Sequence, residues 1–157
     1  MTHEIRTVKR EIRILGIDAC RRAAMIGAII RGGLYLDGIL TFQETITRKV
    51  SEEIQESRYY PELRIIMLHD LKSRLDARQL WKATGLPVIE ITKSKLRHRY
   101  DYERFEKQNK IIYARSKLDL ETIRKLILLS WTTDDLPEPV RVAHLLVNSI
   151  SSRPVSR

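Results

Sequence analysis

Asp18 is the first residue whose type and place point to chemistry. It closes Arg13-Ile14-Leu15-Gly16-Ile17-Asp18, a run of apolar and small residues that suits a strand covered on both faces. Open α/β sheets hold their ligands at the carboxyl ends of such strands. Taken alone, Asp18 reads as the start of a turn, a position Asp favours. A second buried-strand run, Leu63 to Leu68 (LRIIML), delivers His69-Asp70 at its own C-terminal end. Near the end of the chain Arg141, His144 and Asn148 fall at i, i+3 and i+7, on one stripe of a helix. The stretch 93–117 holds nine Lys or Arg against three acids, and so six of the nine net positive charges of the chain. Tyr100, Tyr102, Phe105 and Tyr113 are interleaved with them. Basic residues among aromatics suit phosphate contact and base stacking. They equally suit a solvated segment whose aromatics face inward.

The elements that must position these residues follow from pattern. Residues 24–30 form a second strand, Arg31-Gly32-Gly33 the turn, and 34–47 a third strand, which makes an antiparallel hairpin with a bulge near Gly38. A short amphipathic helix over 49–57 stops before Pro61. Asp76 caps a helix that runs through Thr84 to a Gly85 stop, and 88–92 is the fifth strand. Ile111-Ile112-Tyr113 reads as a late strand. Asp119 caps a helix with Leu120, Ile123, Leu126 and Ile127 on its apolar face. Pro139 sits in the first turn of the last helix, whose buried stripe is Val140, Ala143, Val147 and Ile150. A mixed sheet flanked by helices follows, in the element order of a ribonuclease-H-like fold.

Length and composition narrow the partners. A chain of 157 residues fits one domain, with its core over about 10–150. Its net charge of +9 favours a polyanion, nucleic acid first. The single cysteine, Cys20, excludes an intramolecular disulfide framework and a cysteine-rich zinc site. No apolar stretch is long enough to cross a bilayer, and the expected location is cytoplasmic with no membrane partner.

Leu136-Pro137-Glu138-Pro139-Val140-Arg141-Val142-Ala143-His144 resembles the C-terminal motif of endonuclease V, roughly LPEPxRxA followed by Asp or His. Leu86-Pro87-Val88-Ile89-Glu90-Ile91-Thr92-Lys93-Ser94 is similar to that family's LPTIGVAKS segment, and 13–18 resembles its first strand, which ends in a metal-binding Asp. The series RILGID, RGGLWLDG, RVIML, TGLPVI and LPEPLRLAHL belongs to the archaeal endonuclease-V-like family called domain of unknown function ninety-nine. A similar series recurs here in order, from Arg10 to about Ile150. The resemblance implies an α/β, ribonuclease-H-like mixed sheet (antiparallel hairpin plus parallel strands) flanked by helices. It also implies a site for Mg2+ or Mn2+, and DNA or RNA as partner. Endonuclease V is a metal-dependent nuclease that cuts near deoxyinosine or inosine.

Carried over residue by residue, the resemblance implies a catalytic set of Asp18, His144, Glu44, His69 and Asp70, with Asp18, His144 and Asp70 as metal ligands. Glu44 enters because Tyr35 to Glu44 resembles the family's YIPGLLAFRE, although the wedge proline is absent; Asp37 is a rival for that carboxylate. Where the family reads Leu-Asp-Gly, this chain reads Leu68-His69-Asp70-Leu71. Aligned without a gap, His69 takes the ligand position, and Asp70 reaches it only if a bulge or the strand end re-aims its side chain. Asp18 with His69 and His144 is a softer donor set than magnesium prefers, suited to manganese or zinc. Lys93 matches the family's lysine and, with Arg97, Arg99 and Arg141, makes the expected nucleic-acid contacts. The glycines that shape the base pocket are missing after His69-Asp70. Two readings therefore stand open: a metal-dependent endonuclease, and a binding module of the same fold without cleavage.

Overall fold

The apolar run that ends in Asp18 lies inside the sheet, third of its seven strands and paired on both sides. In a computed structural model describing residues 7–21, 24–94, 101–132 and 135–151, it forms β1 (Arg13–Arg21), flanked on both sides. β2 (Ala24–Arg31) and β3 (Tyr35–Phe42) extend the sheet antiparallel on one side. β4 (Leu63–His69) and β5 (Val88–Thr92) extend it parallel on the other. A final hairpin, β6 (Glu103–Lys107) and β7 (Lys110–Arg115), joins antiparallel to β5, giving the order β3-β2-β1-β4-β5-β7-β6.

Alternation along β1 sorts its side chains onto two faces. Ile14 faces one core, with Ile65, Met67, Ile89 and Val140, and Leu15 and Ile17 face the other, with Val50, Ile54 and Leu80. α3 (Leu120–Ser130) and α4 (Glu138–Ser151) cover the first face; α1 (Thr47–Glu56) and α2 (Ala77–Thr84) cover the second. Gly16 lies beneath α4, where any Cβ would overlap the Pro139 carbonyl. The glycine thus lets the last helix sit directly on the strand that carries Asp18.

Local signals fix several boundaries as expected. The Asp76 carboxylate accepts from the Gln79 N–H, and Gly85 closes α2 at φ +73°, a left-handed conformation that glycine adopts without a Cβ clash. Asp119 caps α3 through the Thr122 N–H. The hairpin register slips between Ile29 and Ile30, opposite Gly38 and Leu36, so Asp37 is the extra residue beside the expected Gly38 bulge. Other expectations need correction. β3 stops at Phe42, and Thr47 already belongs to α1. Leu120 and Ile150 are exposed, so neither joins the apolar stripe assigned to it. The strand expected at 111–113 is half of a hairpin, turned by Gln108 and Asn109 at φ +49° and +66°.

Candidate functional site

Asp18 and His69 are partners in the parallel register of β1 and β4, so both side chains leave the sheet on the α4 side. His144 comes down from α4 onto the same spot. The Asp18 carboxylate is fully buried and every contact it makes is an acceptor contact. Oδ1 accepts from the Cys20 N–H at 3.0 Å, where β1 loses its regular pairing. Oδ2 accepts from Nδ1 of His69 at 2.9 Å and from Nδ1 of His144 at 2.7 Å. The two rings meet edge to face, 5.3 Å between centroids. His69 is buried, whereas a third of the His144 side chain is exposed (34%), so the cluster opens to solvent on the α4 side.

The outer contacts fix the His144 tautomer. Arg21 Nε donates to Asn148 Oδ1 at 3.2 Å, which turns the Asn148 amide nitrogen toward His144 Nε2 at 3.1 Å. Nε2 therefore accepts, and Nδ1–H donates to Asp18. Asn148 was legible as a member of the His144 stripe; Arg21 carried no signal, because its role depends on α4 crossing the end of β1.

The other expected residues are dispersed. Asp70 is turned away, as alternation requires after a regular β4. Its carboxylate accepts from the N–H groups of Arg74 and Leu75 at 3.0 and 2.8 Å and shapes the loop into α2, so His69 stands where Asp70 was expected as a ligand. Asp37 pairs with Arg13 at the opposite end of β1, five residues from Asp18, or roughly 16 Å along the strand. Glu44 is exposed, three residues beyond Thr41; Thr41 is aligned with Asp18 across β2. Lys93 follows the end of β5 and pairs with Asp135 at 3.5 Å. Arg141 is held by Glu138 within α4. Arg97 and Arg99 lie outside the described residues. Among the aromatics of the basic segment, Phe105 belongs to the core, while Tyr102 lies under the Arg115 guanidinium, 4.6 Å from ring centre to Cζ.

No family model matches the chain. UPF0215 proteins do. The one from Methanosarcina acetivorans is 32% identical, across 91% of this chain and 92% of its own length. The chain belongs to the UPF0215 family. Another archaeal member, from Methanothermobacter thermautotrophicus, is 29% identical across 95% of this chain. Among solved structures, a protein of unknown function from Archaeoglobus fulgidus superposes with TM-score 0.68 at 20% identity, covering 88% of this chain and 97% of that one. Argonaute from Marinitoga piezophila, in complex with guide RNA and target DNA, superposes with TM-score 0.61 at 12% identity. It covers 89% of this chain and 30% of Argonaute. These likenesses establish the ribonuclease-H-like fold of this UPF0215 chain.

Electrostatics make the cluster an ion pair. Burial pushes the Asp18 carboxyl up, but the hydrogen bonds from His69 and the Cys20 N–H hold it below the usual carboxylate range. Burial likewise pushes His69 down, yet its hydrogen bonds to Asp18 and Cys20 prevail and raise it to about 9. A raised histidine stabilises fully below its unfolded value and loses that contribution as pH climbs through its folded value. The depressed Asp18 contributes above its unfolded value and is lost as pH falls further. Metal-free protein should thus lose up to roughly 3 kcal/mol from His69 between about pH 6.5 and 9. Urea unfolding across that range checks this: the alkaline decline should vanish in His69→Gln, and an identical decline in that variant would refute the assignment.

Sequence patterns did not announce the cleft on the other side of the sheet. Its volume is about 630 Å3, and Arg74, Arg78, Trp81, Arg115 and Lys117 are among its lining residues. Arg115 is committed to Glu90 at 2.7 Å; Arg74, Arg78 and Lys117 carry no ion pair to a described residue. The cleft shares no lining residue with the Asp18 cluster, so its size alone does not make it the reaction centre.

Proposed function

We propose that this protein processes nucleic acid, and that the Asp18–His69–His144 cluster is the centre at which it hydrolyses phosphodiester bonds with a divalent metal, in the manner of endonuclease V. One observation carries this reading. Two imidazoles, His69 from β4 and His144 from α4, converge on one carboxylate oxygen of Asp18 at the C-terminal end of β1, across as many as 126 positions of sequence.

The donors present test the expected metal. Magnesium demands hard oxygen ligands, and the cluster offers one carboxylate and two imidazoles; Asp70 and Asp37 are elsewhere, and Glu44 is exposed beyond β3. Two histidines and a carboxylate suit a first-row transition ion such as Mn2+ instead. Asp18 and His69 would hold it, with His144 hydrogen-bonded to the same carboxylate beside it, and the ion would lower the pKa of bound water and neutralise charge at the phosphate. Asp18 keeps both imidazoles oriented; Asn148 and Arg21 fix the exposed ring. Lys93 leaves the same sheet edge on β5, and Glu44 follows β3 on the other flank, so a strand laid along that edge meets the cluster and Lys93 together.

The alternative is a binding module without cleavage. It is favoured by the single carboxylate at the centre and by Arg74, Arg78 and Lys117 of the cleft, which form no ion pair with a described residue. Argonaute, one of the structural neighbours, is seen in complex with guide RNA and target DNA. Carried to this +9 chain, that points to a polyanionic partner.

Both readings predict affinity for single-stranded DNA or RNA that falls steeply with salt. The paired change Arg74→Glu and Arg78→Glu should weaken binding at low salt by at least roughly ten-fold and shallow the log–log salt slope by about one per lost phosphate contact. Fluorescence anisotropy at several salt concentrations measures both. A flat salt response in the wild type would exclude the electrostatic surface. Loss of metal-dependent cutting on chelation, with binding retained, separates the first reading from the second.

A further inference from the structure

Cys20 brings a further donor to this centre, and no motif singled it out. It follows Asp18 by two residues, and its Sγ lies 3.4 Å from His69 Nδ1. One carboxylate oxygen of Asp18, Sγ of Cys20 and a ring nitrogen of His69 all fall within 4.8 Å of one another. Metal–oxygen and metal–nitrogen bonds are about 2.0–2.2 Å and metal–sulfur bonds about 2.3 Å. Donors on neighbouring vertices around one ion are then roughly 2.8–3.6 Å apart. The Asp18–His69 separation of 2.9 Å and the His69–Cys20 separation of 3.4 Å both match that spacing.

We infer that Asp18, Cys20 and His69 form a three-ligand site for a thiophilic divalent ion of the zinc class, with its open position on the side of His144. A thiolate beside an imidazole and a carboxylate selects against magnesium and shifts the preference from manganese toward zinc or cobalt. Three protein ligands with one open position is the arrangement of a zinc ion that still takes water or substrate. His144, partly exposed and hydrogen-bonded to the shared Asp18 oxygen, stands beside that position. This deepens the proposed reading of the same centre, and its test reads metal binding rather than cleavage.

The test is titration of chelator-stripped full-length protein with Co2+. The expected result is one equivalent bound, with a thiolate-to-cobalt charge-transfer band in the near ultraviolet, displaced by Zn2+ and not by excess Mg2+. Cys20→Ser should lose the charge-transfer band and bind Zn2+ at least roughly ten-fold more weakly. A second measurement needs no variant: Zn2+ should protect the single thiol from a thiol reagent, and Mg2+ should not. Cobalt bound without the sulfur band, unchanged thiol reactivity in Zn2+, or effective competition by Mg2+ would each overturn the site. Cobalt binding through Cys20 in a protein that cuts nothing would overturn the nuclease reading alone. Cutting with Mg2+ in the absence of the sulfur band would overturn the zinc-class site alone.

Discussion

Gly16→Ala should destabilise the protein by roughly 3 kcal/mol or more, an unusually large effect for one methyl group. The reason is what the methyl meets. A Cβ at this position overlaps the backbone carbonyl of Pro139 at the start of α4, and a carbonyl held in a helix cannot swing aside as a side-chain tip can. The helix must lift from β1 or slide along it. His144 sits five residues, or about 1.4 turns, further on, so the same displacement should pull its ring from Asp18. Denaturant unfolding measures the first consequence. A variant within about 1 kcal/mol of wild type would show that α4 does not depend on this close approach.

Asp18→Ala is the second large effect, and it acts on chemistry and stability together. Removing the carboxylate leaves His69 buried with its principal partner gone, and the loss of one member of such a pair costs roughly 3–5 kcal/mol. Any metal-dependent cutting should disappear, while affinity for nucleic acid should persist, because Arg74, Arg78 and Lys117 lie on the other face of the sheet. Asp18→Asn separates the two effects. It keeps the shape and part of the hydrogen bonding but lacks the negative charge that orients both imidazoles. It should therefore fold better than the alanine variant and remain inactive. Nucleic-acid affinity that collapses in Asp18→Asn would contradict the separation of binding from chemistry.

Much of the fold was legible because its boundaries are written locally. Asp76 and Gly85 bracket α2 by a side-chain cap and a left-handed stop, and Asp119 caps α3 in the same way. The strand β6 was not, since Glu103-Arg104-Phe105-Glu106-Lys107 buries one side chain only and reads as a charged loop until its partner β7 is known. At the site, Asp18 and His144 were marked by strand position and motif. The choice between His69 and Asp70 turned on alternation, and a regular β4 put His69 inward and Asp70 into the loop. Cys20 could have been found by spacing, two residues from Asp18. A lone cysteine excludes a disulfide framework and a cysteine-rich site, but not a mixed donor set with Asp and His. Glu44 and Asp37 show the reverse limit: both are acids on or beside one hairpin strand, yet a strand carries them to opposite ends, and only register tells which end lies near Asp18.

The most direct measurement of the central claim is a cleavage panel: inosine-, uracil- and branch-containing DNA and RNA, with Mg2+, Mn2+ or Zn2+, incubated with wild type and with folded Asp18→Asn. The expected result is cutting of at least one substrate that requires a transition ion, stops on chelation and is absent from Asp18→Asn. Cutting that continues unchanged in Asp18→Asn would place the reaction elsewhere in the molecule and contradict the assignment.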